Sequence, residues 1–421
     1  MSYFIKFLIG FAFFVFASLY LLATFFIALF TAKFIPNFLG IFLWANFVSV
    51  VFYLCFVGVT QITKIKNVLK ISKRLIVSTS IFLLLILIGL NCIVFLPIAT
   101  PSSSNVTQKE VKYWNLAIKY DNKNINSQVA YKLFPADDGV QKKATPIIYL
   151  HGGPGGYAVS ADFVNDFYKQ FTTLGYDVYV YDQTGSGLSS RLENLDDYSY
   201  KLFEKELEQI RIQLKADKLT LIGESWGGTL AGTYSSNYPD RIEKIVLINP
   251  GELDISRLPN LETDSSKTGA DSNADLKTTA MFLQPRVILA NQWFKDSPKA
   301  AKTILSDGEA DALFDSITNI KKFELACKAK NVPSQSSKGF GFWSFIKTNE
   351  TLVSRDDNPI QKLKKTKIPV LFIKSECDFL SSKIIDQYKE AYSNFELVKI
   401  DGAGHVPYLE KKPEIYYISK C

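Results

Sequence analysis

A chain of 421 residues has the length of two or three domains. Its formal charge of +7 is local: Lys6, Lys33, Lys64, Lys66, Lys70, Lys73 and Arg74 are the only charged residues in the first hundred, and the remainder is balanced. That balance excludes an extended basic face for nucleic acid. No His or Cys cluster has metal-ligand spacing, so neither a metal nor a cofactor is expected.

Three apolar stretches, 7–30, 38–60 and 75–98, lie in the acid-free N-terminal region. Each exceeds the ~20 residues a helix needs to cross a hydrocarbon core. The first is too long for a secretory signal, lacks a small-residue cleavage site and is followed by two more such stretches. Three transmembrane helices are expected, with the lipid bilayer as partner. The loop 61–74 holds Lys64, Lys66, Lys70, Lys73 and Arg74, against Lys33 alone in the first loop. Positive loops stay in the cytoplasm. The N-terminus is therefore expected inside, and everything after the third stretch outside. Residues 100–109, with Pro101, Ser102, Ser103 and Ser104, read as a linker. Of the five cysteines, Cys55 and Cys92 fall in expected spans. Cys327, Cys377 and Cys421 allow one internal disulfide, and spacing does not choose the pair.

From residue 110 the pattern changes. Segments 111–119 and 127–134 predict a hairpin around the turn-rich 121–124. Strand-like runs at 147–150, 177–182, 219–222 and 244–249 then alternate with helix-like segments at 162–173, 200–215 and 229–238. After Pro250 the alternation lapses. It resumes with a strand at 370–373, a helix at 383–392, a strand at 395–400 and a closing helix at 413–419. Such alternation predicts an α/β fold with a mostly parallel sheet covered by helices, built from residues 110–250 and 368–421. The interruption, 251–367, is expected to be a helical cap over the carboxyl edge of the sheet, where open α/β sheets bind ligands.

Gly223-Glu224-Ser225-Trp226-Gly227 joins a predicted strand to a predicted helix. That is the setting of a nucleophile elbow, in which a tight turn lifts one serine out of the backbone. A serine hydroxyl is a weak nucleophile and needs an imidazole to take its proton. The chain has two histidines, His151 and His405, both on loops after predicted strands. Asp378 follows the strand that reopens the sheet, and the order Ser225, Asp378, His405 is that of an α/β-hydrolase triad. His151 opens His151-Gly152-Gly153-Pro154-Gly155-Gly156, where consecutive glycines leave N–H groups free to face an oxyanion. Gly153 and Trp226, the residue after the nucleophile, are the expected donors. Two carboxylates are candidate partners for a substrate ammonium: Glu252, just past a strand, and Glu224, beside Ser225.

His151-Gly-Gly-Pro-Gly155, Asp182-Gln183-Thr184-Gly185-Ser186-Gly187-Leu188-Ser189, Gly223-Glu-Ser-Trp-Gly-Gly228, Asp378 and Gly404-His405 together resemble the proline iminopeptidase family. The likeness runs from about Tyr113 to the C-terminus. It implies an α/β-hydrolase fold with a helical cap and a serine aminopeptidase acting on short peptides with a free amino end. Thr184 stands where that family usually has arginine, and Glu224 is unusual before the nucleophile, which puts the prolyl preference in question. A serine carboxypeptidase-like enzyme or esterase is the alternative, and a catalytically silent binding module a more distant one.

Overall fold

The computed structural model describes residues 110–161, 164–255, 274–327 and 339–410, with scattered helical positions between 19 and 89. The three expected spans fall largely outside the described residues, as do the linker, the closing helix and Cys421. Among the described residues, no helix is long and apolar enough to cross a membrane.

One eight-stranded sheet runs in the order β1-β2-β4-β3-β5-β6-β7-β8. The strands are β1 Lys112–Tyr120, β2 Lys123–Phe134, β3 Ile147–Leu150, β4 Val178–Tyr181, β5 Leu219–Glu224, β6 Ile242–Ile248, β7 Pro369–Ser375 and β8 Asn394–Ile400. β1 pairs antiparallel with β2, and β2 with β4. From β4 through β8 all neighbours are parallel, with β3 between β4 and β5. The hairpin turn is tighter than the four residues the sequence indicated. Asp121 and Asn122 carry it alone with φ of 43° and 62°, and Lys123 and Asn124 already pair in β2. Asp and Asn tolerate this left-handed backbone, so a two-residue turn suffices.

Helices α1 Asn165–Thr172, α2 Tyr200–Gln213 and α3 Trp226–Asn237 alternate with the strands as expected. Within 251–367 the described elements are helical: α4 Ala274–Phe282, α5 Pro285–Asp296, α6 Pro298–Ile304, α7 Asp307–Ile320, α8 Phe342–Val353 and α9 Pro359–Leu363. α10 Ile384–Ala391 joins β7 to β8. β5 is buried at every residue, as a central strand covered on both faces must be. β1, at the sheet's edge, instead alternates, with Trp114, Leu116, Ile118 and Tyr120 buried.

The chain forms two compact units, Met1–Ala99 with Phe282–Ser306, and Thr100–Met281 with Asp307–Cys421. The stretch expected as a single cap is thus divided between them. In the second unit Cys327 and Cys377 form a disulfide, which chooses the pair that spacing left open.

Candidate active site

Ser225 sits between β5 and α3 with φ 53° and ψ −120°, a conformation few non-glycine residues adopt. Its neighbours explain how the turn closes. A Cβ at Gly223 would lie 2.4 Å from the Gly227 carbonyl oxygen, and one at Gly227 only 1.9 Å from that of Leu150. The turn is pinned by Ser225 N–H donating to the Ile248 carbonyl at 3.0 Å and Gly251 N–H to the Ser225 carbonyl at 2.8 Å.

His405 and Asp378 meet as the chain order implied. His405 Nδ1 lies 2.6 Å from Asp378 Oδ1, with both side chains almost fully buried. Burial would raise the Asp378 carboxyl, but His405 and then Lys374 more than offset it and hold it below its ordinary value. Asn249, at the end of β6, was not singled out in the sequence. Its Nδ2 donates to the His405 carbonyl at 2.8 Å and to Ser375 Oγ at 2.9 Å, while its Oδ1 accepts from Ser375 N–H at 2.8 Å. It fastens the histidine loop to β7.

His151 is not placed to act as the base. Its Nε2 accepts from Gln183 N–H at 3.0 Å and its Nδ1 lies 2.8 Å from the Gly152 carbonyl. Burial lowers its pKa, which keeps it a neutral loop-shaping ring. Asp182 completes that support: Oδ1 accepts from Ala158 and Val159 N–H at 2.7 and 2.9 Å, and Oδ2 from Leu188 N–H at 2.8 Å. A Cβ on Gly152 would come within 3.2 Å of Ser225 Cβ, so the glycine strip lies directly against the nucleophile. Trp226 opens α3, where backbone N–H groups have no partner within the helix. Of the two expected oxyanion donors, Gly153 lines the same cavity as Ser225 and Trp226 directly follows it in the chain.

Ser225, His405, Gly152, Gly153 and Glu224 line one cavity of about 480 Å³. Its wall is largely aromatic and aliphatic, with Phe314, Phe340, Phe345 and Phe379 contributing rings. Phe314, Ile317, Thr318 and Lys321 fall at helical spacing, so one face of α7 and the residue after it form a side of the cavity. Glu224 is the one acid among the described residues that line it; Tyr149 donates its hydroxyl to it. Burial raises the Glu224 carboxyl above its ordinary value, opposed by that hydrogen bond and by His405.

Glu252, the other candidate partner for a substrate ammonium, is not among the residues that line this cavity. Its side chain is buried, Oε1 has no hydrogen-bond partner, and its backbone carbonyl accepts from Thr229 Oγ1 at 3.0 Å. The segment after β6 is tied to the elbow and to α3, through Gly251 N–H on the Ser225 carbonyl and Thr229 Oγ1 on the Glu252 carbonyl.

An elbow serine, a carboxylate-held imidazole and a glycine strip over the nucleophile make this a serine-hydrolase site on a parallel α/β sheet. Residues 145–412 match the family model described as alpha/beta hydrolase fold. The chain belongs to that family. Among its curated relatives is a proline iminopeptidase of Lactobacillus helveticus, 23% identical over 293 residues, covering 68% of this chain and 92% of that protein. Proline iminopeptidases of Heyndrickxia coagulans and Lactobacillus delbrueckii subsp. lactis are 32% and 31% identical over 123 and 157 residues. These shorter matches cover 29% and 36% of this chain but only 40% and 52% of those relatives' lengths.

Proposed function

We propose that this protein is a membrane-anchored serine aminopeptidase that releases N-terminal residues, proline among them, from short peptides through an acyl-enzyme. In that reaction Ser225 Oγ attacks the scissile carbonyl as His405 takes its proton. The oxyanion forms against the N–H groups of Gly153 and Trp226, and His405 returns the proton to the departing amine. Water then hydrolyses the ester. The observation that carries the substrate reading is Glu224, a carboxylate in an otherwise mostly apolar cavity, adjacent to the nucleophile. An ammonium brought out of water needs such a partner.

The aromatic wall supports an esterase as the second reading, since a neutral acyl group needs no carboxylate. Comparing peptides with free and acetylated amino ends tests the choice. The aminopeptidase reading expects acetylation to abolish cleavage; equal rates overturn it and move the carboxypeptidase-like and esterase readings ahead.

Membrane anchoring is supported by the charge distribution and by exposed apolar side chains at helical positions in each N-terminal stretch. Leu19, Leu43, Phe47, Phe82 and Leu85 are examples. Reporter fusions within 61–74 and after Pro101 should report opposite sides of the membrane. The same side for both overturns the three-span topology.

A further inference from the structure

Asp378 has a second cationic partner besides the histidine. Lys374, four residues earlier on β7, is buried at 8% exposure and ion-pairs through Nζ with Asp378 Oδ2. The same ammonium donates to the Leu380 carbonyl at 2.8 Å. One carboxylate thus lies between a fixed positive charge on one oxygen and the imidazole on the other. We propose that Lys374 is a positioning residue that divides the charge of Asp378 with His405 and so sets the pH below which the triad is silenced.

The argument is electrostatic. With Lys374 charged, the Lys–Asp–imidazole group is neutral before catalysis and carries one positive charge once His405 is protonated. Without it, the same group would pass from negative to neutral. In a buried site the second change is the easier one, because a low local dielectric penalises net charge. Lys374 therefore opposes protonation of the base and extends the active range toward acid. It also holds the carboxylate, since the bond to the Leu380 carbonyl fixes the ammonium and Leu380 N–H donates to Asp378 Oδ1 at 3.1 Å.

Two carboxylates interact with this cluster, and the cavity that His405 lines also holds the titratable side chains of His151, Lys321, Tyr149 and Tyr168. Glu224, at the end of β5, interacts with His405 from the cavity side. Glu252, after β6, feels the charge of Lys374. The Phe379 ring, 4.3 Å from the imidazole, is uncharged. Both acids favour protonation of the imidazole, so they act against Lys374 and cannot substitute for it.

The test reads the pH dependence of Ser225 labelling by a neutral fluorophosphonate on the full-length protein. That readout does not depend on which peptide or ester is the substrate. Lys374→Gln keeps a donor for Asp378 and the Leu380 carbonyl while removing the charge. Its acid-limb midpoint should move up by roughly one to two pH units, the size expected for a unit charge one carboxylate away at an effective dielectric of ~20. Below the limb, labelling should then slow by about tenfold or more, with rates above it close to those of the native protein. Lys374→Met, the apolar replacement, should shift the limb the same way, and Lys374→Arg should leave it in place. A uniform loss at every pH, with the midpoint unmoved in Lys374→Gln and Lys374→Met, would make Lys374 a structural residue only. An equal shift in Lys374→Arg would also overturn the proposal, because charge would not be the cause.

Discussion

The floor and the wall of the cavity obey different rules. The floor is a set of backbone positions at strand ends: Ser225 after β5, Asn249 after β6, Asp378 after β7 and His405 after β8. Each needs a particular residue type, since the chemistry or the turn admits few others. The wall, by contrast, comes from one face of α7 and the rings of Phe340, Phe345 and Phe379, and it asks only for apolar volume. The floor therefore carries the chemistry, and the wall limits what can lie against it.

Changes to the floor should therefore remove chemistry, and at Ser225 they should do so without touching the fold. Ser225→Ala deletes one oxygen and should lower turnover by on the order of 10⁶, with His405→Ala nearly as severe, because triad members act as a unit. Asp378→Asn should cost on the order of 10⁴ by favouring the wrong imidazole tautomer. Full activity in His405→Ala would return His151 as a candidate base and break the assignment of the floor. Thermal unfolding of Ser225→Ala should match the native protein, whereas Asp378→Asn, which leaves the buried Lys374 without its counter-charge, should unfold at a lower temperature.

A second test sits beneath the floor. Glu206 is fully buried, bonded to Thr184 through its hydroxyl and its N–H, and Oε1 is unpartnered. Burial, opposed by the two Thr184 bonds, pushes its pKa from 4.5 to about 8. The folded protein then keeps a proton that the unfolded chain releases near pH 4.5, so stability falls as pH rises from there to about 8. Glu206→Gln should remove that slope and stabilise the protein at pH 8 by on the order of a few kcal/mol. A melting temperature with the same pH slope in both proteins would mean Glu206 stays ionised.

The sequence made the floor legible for a physical reason. Gly223 and Gly227 are required by contacts that no side chain could survive, and with two histidines in the chain the base was nearly determined. Asp378 followed from strand order. Lys374 was overlooked, although a lysine ending the run Val370-Leu371-Phe372-Ile373 is itself a signal that something buried must pair with it. The wall left little trace, because Phe314, Ile317 and Phe345 differ in no way from core residues of any helix. Composition does not say whether Glu252, on a loop after a parallel strand, reaches the cavity, because such a loop can rise over the sheet edge or run along it.

Glu224 is where floor and wall meet, and it should show an intermediate effect. Glu224→Gln is expected to raise KM about tenfold for peptides with a free amino end, the size of one charge-assisted hydrogen bond. A small neutral ester should be hydrolysed with nearly unchanged KM. Equal losses on both substrates would assign Glu224 to support of Ser225 through Tyr149, and the ammonium partner would have to be sought elsewhere.

The smallest effect is expected at Glu252, and it sharpens the contrast most. Its carboxyl is raised above its ordinary value by burial, with Lys374 partly opposing. Glu252→Gln removes a charge that the fold buries without a partner for Oε1. KM should stay the same for free-amino peptides and for esters, because the side chain does not reach the cavity. Stability at neutral pH should be unchanged or slightly higher, since an amide is easier to bury than a carboxylate. The acid limb should move less than in Lys374→Gln and in the opposite direction, as one acid that favours proton uptake is lost. A selective rise in KM for free-amino peptides would place Glu252 in recognition after all, and the boundary between floor and wall would then run under the elbow as well as over it.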